Sequence, residues 1–363
     1  MFYLLVVFTS IYLVFILFII SGLFRHNILP VSNSETLPFV SVIIAARNEE
    51  ENLPYLIDDL INQEYPLGKF EIIIVNDRSN DSTQNILIEA SENYSFIKHI
   101  KIDKESKEMT PKKYAIDMGI KESKGEIILA TDADCRVGSL WVSSMTYSLI
   151  HKNGIIIGYS EIDDKKGTLF EKYQKIDFLA IIAANAGAAG WNHYWSGTGQ
   201  NLAYYKKDFL QIGGFEPVKD KISGDDMYLV QSISRFKNGY IQIDPNSHVK
   251  TKAMKSIKDF INQRIRWSSN SKSNFKNTPI FFTFLIVSFF ENLLILFSTI
   301  LFKQGYLIWG IKITLDGIII LFGSKLFEKS FDIKTYFIWA ILQPFYIPLI
   351  GVLGLFNKFS WKK

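Results

Sequence analysis

The chain has a single cysteine, Cys135, in 363 residues. One cysteine cannot form an internal disulfide, which suits a cytoplasmic domain. There is no Cys/His cluster at zinc-ligand spacing and no Gly-rich phosphate loop, so neither chemistry competes for an assignment. Internal repeats and low-complexity tracts are also missing. The formal net charge is only +4, which argues against a nucleic-acid partner. The first apolar run lacks the basic start of a signal peptide and is longer than such a peptide's apolar core. An uncleaved membrane anchor over 1–24 is therefore expected.

What the chain does have is apolar sequence gathered into blocks. Phe2 to Ile20, Pro279 to Phe302 and Tyr336 to Phe356 are long enough to span hydrocarbon at about 1.5 Å per residue. Tyr306 to Leu321, broken by Lys312 and Asp316, is marginal. This divides the chain into an anchor (1–24), a linker near Arg25 to Leu37, a soluble domain (38–245), an amphipathic interfacial segment (246–278) and C-terminal membrane segments (279–357). Lys250, Lys252, Lys255, Lys258, Arg264, Arg266 and Lys272 concentrate before the second apolar block. Such clusters sit against anionic headgroups, so membrane lipids are an expected partner.

Between Val40 and Leu129 the pattern reads strand, helix, strand, helix, then a further helix and strand. Val40–Ala45, Glu71–Val75 and Glu126–Ala130 are short β-branched runs bounded by polar residues. Leu53, Leu56, Ile57, Leu60 and Ile61 share one helical face. Alternation of this kind predicts an α/β fold, a mostly parallel sheet with helices on both faces, carrying N- and C-terminal transmembrane helices. Ligands on such sheets bind beyond the carboxyl ends of the strands. Asp77, Asp132 and Asp134 stand at those ends.

In extended backbone, Asp132 and Asp134 would point to one side, and two carboxylates so close repel unless a cation offsets them. Mg2+ or Mn2+, shared with substrate phosphates, is the expected cofactor; a solvated turn is the competing reading. Asp77 could accept hydrogen bonds from a base or ribose, or cap a helix. Arg47 and Glu49 follow the first strand with the same two readings. Lys112 would place a cation near a diphosphate, or is merely solvated. Gln263, Arg266 and Trp267 fall at i, i+3 and i+4 of a helix and so share a face. There a Trp can stack on a sugar and an Arg can grip a diphosphate. An interfacial helix with Arg and Trp at headgroup level is the alternative, and the helix can do both.

Taken in order, these motifs resemble family 2 glycosyltransferases, the inverting group with a GT-A-type nucleotide-sugar domain. Val42–Glu50 is similar to that family's opening strand and loop. Val75-Asn76-Asp77-Arg78-Ser79 resembles its Val-Asp-Asp-Gly-Ser, with Asn76 and Arg78 as departures. Lys112–Ile116 resembles its Lys-x-x-Ala-Leu, and Asp132-Ala133-Asp134 its metal motif. Gly197–Asn201 with Gly213-Gly214-Phe215 resembles its acceptor-side strand and loop, and Gly224-Asp225-Asp226 its Glu-Asp pair. Gln263-x-x-Arg266-Trp267 resembles the motif of its membrane-embedded branch.

The resemblance implies a division of labour. Asp77, Arg47, Glu49, Lys112, Asp132 and Arg266 would bind the donor, with Asp77 on a uridine, so that a UDP-linked sugar is expected. Asp134, beside Asp132, would hold the metal. Gly197, Thr198, Gln263 and Trp267 would meet the acceptor. Asp226 would be the general base, with Asp225 beside it. The expected function is transfer of a sugar from a nucleotide-sugar donor to a lipid-linked or membrane-proximal glycan acceptor, by an integral membrane protein whose catalytic domain is cytoplasmic. A processive polysaccharide synthase and a catalytically silent sugar-binding membrane module are the alternatives. Ala183–Trp191 reads as either a helix on the bilayer or a close-packing segment. Pro344 and Pro348 suggest that the last apolar block folds back as a hairpin, which would keep Lys358, Lys362 and Lys363 inside.

Overall fold

A computed structural model describes residues 1–29 and 37–356; the side chains of Lys272 and Ser273 lie outside the description, as do Lys358, Lys362, Lys363 and most of the expected linker. In chain order the elements are α1 (Phe2–Leu23), β1 (Val40–Ala46), α2 (Leu53–Ile61), β2 (Phe70–Asp77), α3 (Thr83–Asn93), β3 (Ile97–Ile102), α4 (Pro111–Glu122), β4 (Ile127–Ala130), β5 (Arg136–Val137), α5 (Trp141–Lys152), β6 (Ile155–Gly158) and β7 (Ser160–Asp163). They continue with α6 (Leu169–Ala189), β8 (Leu202–Tyr205), α7 (Lys206–Gln211), α8 (Asp225–Ile233), β9 (Gly239–Gln242), β10 (Val249–Lys252), α9 (Ile257–Ser269), α10 (Ser271–Asn277), α11 (Pro279–Leu301), α12 (Gln304–Leu326) and α13 (Ile333–Leu355). The chain divides into a sheet unit, 27–161 with 196–252, and a helical unit, 1–26 with 162–195 and 253–363. The soluble domain expected over 38–245 is not continuous, because its stretch 162–195 groups with the apolar helices.

In the sheet unit, seven strands run in the order β3-β2-β1-β4-β8-β6-β9. The first four are mutually parallel, and β8 enters antiparallel between β4 and β6. The fold is the expected mixed α/β arrangement. β1 and β2 are buried along nearly their whole length, as strands covered on both faces must be. One α2 face, Leu53, Leu56, Ile57 and Leu60, closes the core over them. The strand β3 is not among the sequence-based expectations. Its Ile97, Ile100 and Ile102 are interrupted by Lys98, His99 and Lys101, because it is an edge strand pairing only with β2. Lysines suit such an edge, and Lys98 reaches Glu71 at 2.6 Å.

Among the described residues, the helical unit holds four helices long and apolar enough to cross a membrane: α1, α11, α12 and α13. At 22 or 23 residues each, they extend about 33 Å, enough for a hydrocarbon core of roughly 30 Å. The marginal segment is a full helix because its charges cancel. Lys312 and Asp316, one turn apart and both buried, pair at 2.5 Å, and the Tyr12 hydroxyl donates to Asp316 at 2.6 Å. Glu291 is fully buried with the Thr9 hydroxyl 2.8 Å away, so it belongs to the interior of this helix group. The expected hairpin is not formed: α13 is one continuous helix that contains both Pro344 and Pro348. Prolines are tolerated in membrane helices when neighbouring groups take up the backbone they free; both prolines are buried.

The small-residue run is a packing device. α6 begins with a capping box between Thr168 and Glu171 and packs against α1, α12 and α13. A Cβ on Gly187 would come within 2.4 Å of the Ile19 carbonyl oxygen, and one on Gly22 within 1.8 Å of the Gly187 oxygen. Gly187→Ala should therefore destabilise the helical unit by about 1–3 kcal/mol, the usual cost of overpacking. Gly310→Ala adds its methyl where nothing lies within 4 Å and should be neutral or stabilising. Thermal denaturation of the detergent-solubilised protein compares the two; equal melting temperatures would remove the close-packing account.

Candidate active site

Parallel pairing brings the carboxyl ends of β1, β2 and β4 to one edge of the sheet. The loops that leave β1 and β2 there are laced together. The Asn48 N–H donates to Ser79 Oγ at 3.0 Å, the Asn80 N–H to Asn48 Oδ1 at 2.8 Å, and the Glu49 N–H to Thr83 Oγ1 at 2.9 Å. Glu49 is buried, and its carboxylate accepts from Asn52 Nδ2 at 2.6 Å. That makes it a brace of its loop.

Asp77 is also buried, and two arginines hold it. Arg78 donates through Nε at 2.8 Å and Nη2 at 3.3 Å, and Arg47 Nη1 stands 3.7 Å off. Arg78 adopts φ +57°, a left-handed conformation uncommon for a residue with a side chain. Asn76 supports this turn, accepting from the Ser79 N–H at 3.1 Å and donating to Gln84 at 2.6 Å. Both departures from the family pattern are thus built into the turn. A nucleotide meeting this edge would find guanidinium donors beside the carboxylate.

Asp132 and Asp134 do not lie in extended backbone as the spacing argument assumed. The chain turns after β4, closed by the Cys135 N–H on the Asp132 carbonyl at 3.1 Å. The cation offsetting the acid pair is in part Lys112, whose Nζ donates to Asp132 Oδ1 at 2.6 Å. Burial works to lower the Lys112 pKa, but Asp132, Asp225 and Asp226 outweigh it and raise it, so the side chain stays charged. Neighbouring Lys113 is fully buried and its pKa is lowered, chiefly by burial; it donates to Thr110 Oγ1 and the Lys221 carbonyl. Among the described residues no three or more His, Cys, Asp or Glu side chains gather as a metal cage. Two carboxylates on one turn would instead suit a divalent ion that takes its remaining oxygens from water and phosphate. Mg2+ or Mn2+ fits Asp134 and Asp132 on that ground.

Asp226 sits in the first turn of α8, which Gly224 opens at φ +89°. It accepts from the Met227 N–H at 2.7 Å and the Gly199 N–H at 3.2 Å. A Cβ on Gly199 would lie 3.7 Å from Asp226 Cβ and 3.9 Å from Lys112 Nζ. The Gly197–Asn201 loop therefore links Asp226 to the Lys112–Asp132 pair. Within this loop Thr198 meets Ser160 Oγ at 3.1 Å, while Gly197 packs against Val230, Leu202 and Ile157. Burial, and then the neighbouring Asp225 charge, push Asp226 up to about 6, against the pull of the Met227 N–H, Lys112 and the Gly199 N–H. A carboxylate with its pKa raised in this way holds a proton more readily than an exposed one, as a general base would have to.

Gln263, Arg266 and Trp267 belong to the helical unit. They lie on α9 as expected, where Ser256 caps the first turn by accepting from the Asp259 N–H at 3.1 Å. Gln263 Oε1 accepts from Arg264 Nη1 at 2.7 Å, and the Arg264 guanidinium stacks 4.1 Å from the Trp267 ring centre. The sequence pattern places Arg264 only in the basic cluster and gives no sign of its partner, Asp177. Nothing near Asp177 signals a pairing 87 positions away.

The fold defines the class. A solved structure, the mannosyltransferase PcManGT from Pyrobaculum calidifontis in complex with GDP-Man and Mn2+, superposes with a TM-score of 0.62 and 17% identity, covering 98% of both chains. This likeness gives a GT-A-type fold. The profile described as Glycosyl transferase family 2 matches residues 41–225. The chain belongs to that family. The "Probable glycosyltransferase YdaM" of Bacillus subtilis (strain 168) is 30% identical over 72% of this chain, and the match spans only 63% of that protein's length. A dolichyl N-acetyl-alpha-D-glucosaminyl phosphate 3-beta-D-2,3-diacetamido-2,3-dideoxy-beta-D-glucuronosyltransferase of Methanococcus voltae is 25% identical over 88% of this chain and 94% of that one.

As the expected general base, Asp226 would set a pH dependence. A base must be deprotonated, so transfer should rise with pH through about 6 and level off above it. Asp226→Asn should cut kcat by at least about a hundredfold and abolish that limb. The kcat profile from pH 5 to 8 tests both; if Asp225→Asn alone removed the limb, the base would be the other acid.

Proposed function

We propose that this protein is a membrane-anchored inverting glycosyltransferase that moves a sugar from a nucleotide-sugar to a lipid-linked acceptor. The observation that carries the proposal is the junction of Asp226, Gly199, Lys112 and Asp132 at one sheet edge. It brings a carboxylate whose pKa burial raises to about 6 close to the Lys112 cation, as a base beside a bound diphosphate would require.

In this reading Lys112 and the arginines at Asp77 hold the donor's diphosphate and nucleoside, and Asp77 orients Arg47 and Arg78. A divalent ion on the Asp132–Asp134 turn would offset charge on the departing nucleoside diphosphate. Asp226 removes the acceptor hydroxyl's proton as that oxygen attacks the anomeric carbon from the face opposite the leaving group. A uridine-linked donor is the one we favour, because Asp77 stands at the position that meets uridine in the family pattern. The lipid-linked acceptor is supported by the Methanococcus voltae relative, whose name specifies a dolichyl phosphate-linked sugar, and by the four candidate spans. Gln263, Arg266 and Trp267 are assigned to the acceptor and diphosphate, with Trp267 stacking on a sugar.

The metal and the membrane orientation can each be tested. Excess chelator should reduce transfer to background, and Asp134→Asn should do the same while weakening nucleoside diphosphate binding in calorimetry. Full activity of chelated enzyme would remove the metal from the scheme. For orientation, Arg25 and Lys329 follow α1 and α12, Lys325 ends α12 and Lys334 opens α13, so alternating spans put all four on one side. The positive-inside rule makes this side cytoplasmic. With four spans, reporter fusions ahead of α1 and beyond α13 should both read outside, and one within 327–332 should read inside. An inside signal beyond α13 would contradict the four-span arrangement.

A further inference from the structure

We infer that Arg264 and Asp177 are positioning residues for Gln263 and Trp267, and that Gln263 meets its ligand through its amide N–H2 group. The first half stands on the helical unit alone; the consequence for catalysis rests on the acceptor role proposed above for Gln263 and Trp267.

Arg264 and Asp177 are both about 4% exposed. Arg264 donates to Asp177 Oδ2 from Nε at 2.8 Å and from Nη2 at 2.7 Å. Its Nη1 donates to Gln263 Oε1 at 2.7 Å, and its guanidinium carbon lies 4.1 Å from the Trp267 ring centre and 4.6 Å from that of Phe260. One side chain thus touches two members of the Gln263–Arg266–Trp267 set. Asp177 is fixed in turn by Trp339 Nε1, donating to Oδ1 at 3.0 Å, and by the Tyr346 hydroxyl 3.4 Å from Oδ2. The orientation of α9 side chains is therefore referred to α6 and α13.

Stability alone does not explain the arrangement. A buried ion pair holds helices together no better than well-packed apolar side chains of the same size. What a guanidinium adds is a simultaneous grip on a carboxylate, an amide oxygen and an aromatic face. The same chemistry settles which way Gln263 faces. A guanidinium can only donate, so the atom against it must be the amide oxygen. The N–H2 end is what Gln263 has left for a ligand, and it suits an oxygen acceptor such as a phosphate or a sugar hydroxyl.

The test has two arms. Protein labelled with 5-fluorotryptophan is observed by 19F NMR in detergent, with the Trp267 resonance assigned from Trp267→Phe. Arg264→Lys keeps the charge and loses the fork; it should shift or broaden the Trp267 resonance while the protein still melts cooperatively. An unmoved resonance overturns the positioning role. If Arg264→Lys does not fold, Asp177→Glu supplies the same comparison. In the second arm, transfer from UDP-glucose, UDP-N-acetylglucosamine and GDP-mannose to membrane lipid extract is measured. Arg264→Lys should raise the acceptor KM at least about tenfold and leave the donor KM within about twofold. In a Trp267→Ala background the same change should add less than about twofold, because residues acting as a unit are not additive. Full additivity would reduce Arg264 to a structural residue and overturn the proposal. Gln263→Glu, which still offers an oxygen to Arg264, should lose as much activity as Gln263→Ala; retained activity overturns the N–H2 assignment. If Trp267→Ala leaves transfer unchanged, the acceptor role of α9 fails, and the NMR arm still decides the positioning claim.

Discussion

Parallel pairing of β2, β1 and β4 is the constraint on which the rest depends. Three strands running the same way must end at the same edge, and the residues at their carboxyl ends are displayed there together. In this chain those residues are acidic: Asp77 at the end of β2, and Asp132 and Asp134 just past β4, with Asp225 and Asp226 brought in at the start of α8. Carboxylates gathered this closely repel. The structure offsets them with fixed cations, Lys112 on Asp132 and the Arg47–Arg78 pair on Asp77. Under the proposed function, the same cations would face the donor's diphosphate.

The helical unit obeys a parallel rule in a drier setting. Two opposite-charge pairs are buried there: Lys312 with Asp316 inside α12, and Arg264 with Asp177 between α9 and α6. The first pairing allows a segment with two charged residues to remain a helix of spanning length. The second ties the helix that carries Gln263, Arg266 and Trp267 to its neighbours. Small residues do the complementary work, since Gly22 lies against Gly187 and Gly187 against Ile19 with no room for a side chain at either position.

Some expectations fail for identifiable reasons. The edge strand β3 escapes a reading by pattern because Lys98 and Lys101 interrupt its apolar residues, although an edge position is where such residues belong. The hairpin expected at Pro344 and Pro348 assumes that two prolines break a helix; in α13 both are buried within a continuous one. Asp132 and Asp134 are expected side by side in extended chain, and they sit instead on a tight turn. Conversely, Arg78 reads in the sequence only as a departure from glycine. Its left-handed backbone and its fork on Asp77 show the departure to be part of the turn's construction.

By itself the sequence determined the features that depend on local pattern. Runs of Val and Ile that must be buried on both faces specified β1, β2 and β4. Spacings of three and four specified α2 and α9. Long uncharged blocks specified helices of spanning length, and the order of the short motifs was enough to point to the family. Only the tertiary structure decided which distant groups meet. The pairings of Lys112 with Asp132, Gly199 with Asp226, and Arg264 with Asp177 join residues 20, 27 and 87 positions apart. No period of 2 or 3.6 residues encodes such a distance; it comes from how strands are ordered and how closely helices approach. The raised pKa of Asp226 is of the same kind, since burial and the company of Asp225 exist only once the chain has folded.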